Sequence, residues 1–110
     1  MVITVHCENP KYARGDFKFK GLSELYDWLT LIRSVSEDSI SQFLFGIAKD
    51  GSLDISKYGL SVKIKSDFHD YFLANRIAEQ VGLIGPMGKF MPSKDKAQRF
   101  AREFDIAAQR

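Results

Sequence analysis

Two stretches of the chain alternate without a break, Asp16-Phe17-Lys18-Phe19-Lys20 and Leu60-Ser61-Val62-Lys63-Ile64-Lys65. Successive side chains on a strand point to opposite faces, so each stretch predicts a strand with one apolar and one wet face. Phe17 and Phe19 should then look into a core while Lys18 and Lys20 meet solvent. A third run, Val2 to Cys7, is β-branched and not clearly polar at either parity, which suits a central strand. The two lysines of 16–20 argue against open-edge pairing of that strand with a second copy.

The apolar side of such a sheet needs helices against it. Leu22, Leu25, Leu29 and Ile32 recur at helical spacing with Trp28 beside them, and predict a helix over 22–34 started by Ser23 and Glu24. Ser66-Asp67 opens a second helix whose apolar face takes in Phe68, Tyr71, Phe72, Ile77, Ala78 and Val81, and Gly82 should end it. Ser93 starts a last helix with a narrower stripe of Ala97, Phe100, Ala101, Phe104 and Ala108.

Residues 40–48 fit two templates. Ile40, Phe43, Leu44 and Ile47 match a helix capped by Ser36, whereas Phe43, Phe45 and Ile47 match a strand. Asp50-Gly51, set between FLFGIAK and SLDIS, favours the strand, because this dipeptide tolerates the positive φ angles of a type I′ hairpin turn. The competing reading makes Gly51 a helix C-cap. With the hairpin, the order is β-β-α-β-β-β-α-α, without regular βαβ alternation. This predicts one α+β domain over 1–110: a small antiparallel sheet of four or five strands with three helices packed mainly on one face.

Cys7 is the only cysteine, so no internal disulfide can form, and it reads as a small core hydrophobe. The start MVITVHCENP has neither the basic nor the apolar region of a secretory signal, and the expected location is cytoplasmic. Runs such as Tyr71-Phe72-Leu73-Ala74 are far too short to span a membrane. His6, His69 and Cys7 share no CxxC, HExxH or His-x₃-His spacing, and His6 and Cys7 point to opposite faces of their strand. There is no GxSxG elbow, P-loop, GxGxxG or EF-hand spacing. No cofactor, metal or catalytic set is expected.

Residues 82–92, GLIGPMGKFMP, combine loop-forming glycines and prolines with an unusual apolar content. Either this segment folds back over the core, or Met87, Lys89, Phe90, Met91 and Lys94 form a surface for a protein partner. Gly85-Pro86-Met87-Gly88 followed by Lys89 resembles the phosphate-clamping GxxG loop of KH domains, but Phe90-Met91-Pro92 interrupts the helix that should follow. Ile77-Ala78 with Gly82-Leu83 resembles the first half of a helix-turn-helix, with glycines and Pro86 where the recognition helix would lie. The net charge is +2, with the basic excess in the second half. The alternative function is therefore a nucleic-acid-binding module that lays Lys89, Lys94, Lys96, Arg99 and Arg102 along phosphates, in a field diluted by Asp95, Glu103 and Asp105.

The stretch Asp16 to Leu29, DFKFKGLSELYDWL, a short strand running into an amphipathic helix, resembles segments of small phage-encoded inhibitors of the anti-CRISPR type. It covers a small part of the chain and holds no functional motif, so no residue role comes with it. The resemblance implies a compact, non-enzymatic protein that blocks a host nuclease or nucleic-acid complex through surface contacts. The leading expectation is accordingly a non-catalytic binding protein, an inhibitor or regulator, acting through residues 83–91 and the start of the last helix.

Overall fold

The computed structural model describes residues 1–9, 13–32, 35–55 and 61–109. The alternating segments form strands where expected. β1 (Ile3–Asn9), β2 (Ala13–Phe19), β3 (Ser52–Ile55) and β4 (Val62–Ser66) make one antiparallel sheet in the order β2-β1-β4-β3. β1 is central, as its apolar character predicts. One face carries Ile3, Val5, Cys7, Ile55, Val62 and Ile64, all buried, with Phe17, Phe19 and Leu53 packed at its margins. The other face carries His6, Asp16, Lys18, Asp54, Lys63 and Lys65 and stays exposed.

Among the described residues there are four α-helices where three were expected: α1 (Leu22–Thr30), α2 (Glu37–Asp50), α3 (Tyr71–Val81) and α4 (Lys94–Ala108). The additional one replaces the first strand and the turn of the predicted hairpin, whose second strand is β3. Residues 37–50 form a single helix capped at both ends, with the Ser36 hydroxyl accepting from the Ser39 amide at 3.2 Å and Gly51 in the left-handed region at φ 82°. Asp50-Gly51 does supply a positive φ, but at a helix C-cap instead of a turn. The preference is physical: as a helix, 37–50 buries Ile40, Ser41, Leu44, Phe45, Ile47 and Ala48 along one broad face, whereas a strand would bury only alternate residues.

α1 also departs from expectation at its start. Gly21 is its N-cap and gives no side-chain bond, while Glu24 reaches back to accept from the Lys20 amide at 2.8 Å. The Leu22 and Ser23 amides donate instead to the two carboxylate oxygens of Asp105, at 2.7 and 2.9 Å, from α4. Asp105 sits so close that a Cβ on Gly21 would lie 2.6 Å from its oxygen. Of the predicted extent of this helix, residues 33 and 34 lie outside the described residues, as does Leu60 of the second alternating stretch.

α3 begins later than Ser66-Asp67 suggests. Those two residues make a turn in which the Ser66 hydroxyl donates to the Phe68 carbonyl, and Asp70 caps the helix by accepting from the Leu73 amide at 3.0 Å. Tyr71 and Phe72, expected on the apolar face, are 55% and 82% exposed and pack edge-on against each other: Tyr71 is the first residue of the helix, and at about 100° per residue Phe72 lies on the side opposite Ala74, Ile77, Ala78 and Val81. Ala74, Ile77, Ala78 and Val81 form the buried face instead. α4 follows its sequence reading: the Ser93 hydroxyl accepts from the Lys96 amide, and Ala97, Phe100, Ala101 and Phe104 are buried.

α1 packs on β2, and α2 on β3 and β4; the four helices also pack on one another. A chain of rings runs through this layer from Phe90 to Phe45, Phe100, Phe104 and Phe68, with successive centroids 5.7 to 6.1 Å apart. A second cluster joins Phe17 and Phe19 to Trp28. Among the described residues, no helix is long and apolar enough to cross a membrane.

Candidate partner-binding site

Gly82 ends α3 at φ 86°, and the chain then folds into a short hairpin across residues 83–91. The Leu83 and Ile84 amides both donate to the Ala78 carbonyl, which fastens the start to α3. Ile84 pairs with Phe90 in an antiparallel bridge, flanked by bonds from Gly85 N–H to the Lys89 carbonyl at 2.8 Å and from Met91 N–H to the Leu83 carbonyl at 2.7 Å. Pro86–Gly88 makes one 3₁₀ turn at the tip. Pro86 has no N–H to extend the ladder, and Gly88 at φ 73° supplies the reversal.

The two readings of this segment both apply, to different side chains. Leu83 is fully buried, and Ile84 and Phe90 pack on the core, Phe90 edge-on to Phe45 at 6.1 Å. Met87 is fully exposed, Met91 is 41% exposed, and Lys89 points to solvent. Met87 also sits at φ 62°, ψ 24°, a left-handed conformation that costs an ordinary residue about 1–2 kcal/mol. Lys96 braces the base by donating to the Met91 carbonyl at 3.3 Å.

Between this hairpin and α2 lies a groove of about 430 Å³ lined by Gln42, Phe45, Gly46, Lys49, Ile84, Gly88 and Phe90. Lys49 stands 5.1 Å above the Phe45 ring and 4.0 Å from Asp50. The interleaving of apolar side chains with glycine in both segments is legible in the sequence, but their meeting is a product of the tertiary fold.

The structure gathers Met87, Lys89, Phe90 and Met91 into one hairpin and puts Lys94 elsewhere. Lys94 lines a separate cavity of about 120 Å³ with Tyr26, Thr30, Val35, Glu37, Ile40 and Ala97. The Tyr26 hydroxyl is buried and has no hydrogen-bond partner among the described residues; burial, with Glu37 next, pushes its ionisation up. Arg102 lines a third hollow with Ser23, Asp27 and Gln98. At about 100° per residue, Lys94, Arg102, Arg99 and Lys96 spread around the whole exposed side of α4, with Asp95 and Glu103 between them. They do not form one stripe.

One arrangement on the open sheet face went unread in the sequence. His6 Nδ1 lies 2.6 Å from Asp16 Oδ1, its cross-strand neighbour, and Nε2 lies 3.1 Å from Glu8 Oε1, two residues along the same face. The hydrogen bond to Asp16, then that to Glu8, raise the imidazole above its ordinary 6.5. Both ring nitrogens are engaged, so the group clasps β1 to β2 and presents no free nitrogen to a substrate. Strand parity could have revealed the Glu8 half, whereas the Asp16 half needed the register. Cys7 is buried on the opposite face. Among the described residues, no group of three or more His, Cys, Asp or Glu could hold a metal ion. No protein-family model, curated protein sequence or solved structure matches the chain.

Proposed function

We propose that this chain is a small non-catalytic binding protein, an inhibitor or regulator, that engages a protein partner through the tip of the 83–91 hairpin. One observation carries the reading: a fully exposed Met87 held in a left-handed backbone conformation on a turn whose flanks are anchored by Leu83, Ile84 and Phe90. An exposed, strained, apolar residue on a rigid support contributes nothing to the free protein, and such strain clusters at ligand clamps and switch regions. Methionine adapts to a partner's surface, and a buried apolar anchor with a polar rim is the usual anatomy of an interface. Lys89 supplies that polar rim. The resemblance of 16–29 to phage-encoded inhibitors makes a nuclease or nucleic-acid complex the first partner class to try.

The test is affinity capture with the tagged protein and with Met87→Asp, each with and without nuclease. Met87 touches nothing that folding needs, so the variant should melt like the parent. A stoichiometric protein partner that survives nuclease and is lost with Met87→Asp is the expected result. A partner retained by the folded variant would overturn the assignment of the tip. Capture that disappears on nuclease treatment would replace the reading with the nucleic-acid one.

A further inference from the structure

The cavity of about 120 Å³ at the starts of α2 and α4 is divided by depth. Tyr26, Val35, Ile40 and Ala97 line it and are buried, whereas Glu37 and Lys94 line it and are exposed, so an apolar floor lies beneath a charged mouth. Tyr26 is only 5% exposed, and its buried hydroxyl has no hydrogen-bond partner among the described residues. An unbonded buried hydroxyl is costly, and one that persists marks a place where a bound molecule supplies the missing bond. Glu37 is the charge that acts most strongly on this hydroxyl, and it lines this cavity but not the neighbouring hollow beside Arg102. The hydroxyl therefore faces the cavity. Glu37 and Lys94 are of opposite sign, and neither makes an ion pair with any described residue.

We propose that this cavity binds a small zwitterion, a free α-amino acid with a short side chain. Its carboxylate meets the Lys94 ammonium and accepts from the Tyr26 hydroxyl, its ammonium meets the Glu37 carboxylate, and its side chain rests on Val35, Ile40 and Ala97. Charge selects this occupant. A bare carboxylate faces Glu37, with Asp27 and Asp95 adding to the negative field at the hydroxyl, and a bare amine faces Lys94. Size limits it as well: a cavity of roughly 150 Å³ takes benzene, a molecule of about six heavy atoms, and the slightly smaller volume here suits alanine and excludes tryptophan. The 83–91 hairpin contributes nothing to this lining, so the inference goes beyond the binding reading above and stands or falls separately from it.

The probes are L-alanine, propionate, ethylamine and L-tryptophan, each titrated against the isotope-labelled full chain to about 10 mM, which fills about nine-tenths of a site with a Kd of about 1 mM. L-alanine should give saturating amide shifts confined to 26–30, 35–40 and 94–97, and each of the other three should bind at least about tenfold more weakly. Tyr26→Phe removes only the unbonded hydroxyl, so it should melt no lower than the parent while weakening L-alanine at least about tenfold. Lys94→Gln, at an exposed position, should weaken it similarly and keeps the test decisive if Tyr26→Phe disturbs the fold. Glu37→Gln should erase the preference for L-alanine over propionate. Propionate bound as tightly as L-alanine by the parent would overturn the zwitterion, and shifts spread over other surfaces would overturn the site. Undiminished binding of L-alanine to folded Tyr26→Phe or Lys94→Gln would overturn the proposal, as would no saturating shift with any probe, which would leave the cavity to water alone.

Discussion

α2 and α3 both end on a glycine in the left-handed region, Gly51 at φ 82° and Gly82 at φ 86°, and the chain leaves the two caps for different purposes. After Gly51 it enters β3, where Leu53 and Ile55 alternate with Ser52 and Asp54 and pair with β4 along its free edge. Gly51 is buried, and its carbonyl accepts from the Ser66 amide at 2.8 Å. After Gly82 only Leu83 is fully buried; the next residues pair with their own return strand and turn outward at Pro86. The cap is common to both, and the residues beyond it decide between completing the sheet and displaying a tip.

Four substitutions press on that contrast. Leu83→Ala, which empties a fully buried site at the base of the hairpin, should cost about 3 kcal/mol, measured by denaturant unfolding; a cost under about 1 kcal/mol would mean that the hairpin is not anchored. Gly51→Ala comes next at about 2 kcal/mol, because the strain of a positive φ is joined by a Cβ placed 2.5 Å from the His69 ring, which must swing away. Gly82→Ala should cost about 1 kcal/mol, since its Cβ meets only the flexible Lys96 chain at 3.4 Å. Equal losses at Gly51 and Gly82 would erase the difference between the two caps. Met87→Gly should raise stability by about 0.5 kcal/mol while abolishing partner capture, and a loss of stability would show that Met87 supports the fold.

The smallest expected effect belongs to the open sheet face. His6 is raised above its ordinary value, so its clasp with Asp16 and Glu8 stabilises fully below about pH 6.5 and is lost as pH rises through the higher folded-state value. The melting temperature should therefore fall slightly across that window, and His6→Gln should remove this component. A slope unchanged by His6→Gln would mean that the clasp contributes nothing.

Fold class, sheet parity, the last helix and the Gly82 stop were legible because each rests on local chemistry that one tertiary context satisfies. Residues 37–50 were not, because Asp50-Gly51 answers two demands for positive φ, and only the burial of Ser41, Leu44 and Ala48 together distinguishes helix from hairpin. Tyr71 and Phe72 were misplaced because Tyr71 opens the helix, capped at Asp70 and not at Ser66-Asp67, and Phe72 at about 100° per residue faces away from Ala74, Ile77, Ala78 and Val81. In the hairpin, composition marked the segment but not which side chains would be held down. That division depends on Phe45, nearly forty residues earlier in the chain.

The capping of α1 by Asp105 bears on the order in which the molecule can be completed. The Leu22 amide and the carboxylate that satisfies it lie 83 residues apart, and synthesis at about 5–20 residues per second separates their appearance by roughly 4–17 s. Throughout that interval the first turn of α1 must find other partners for its amides. The N-terminal strands and their adjoining helix thus emerge as an unfinished layer that the last turns of α4 close, and a ribosome-bound chain lacking those turns should expose α1 to protease.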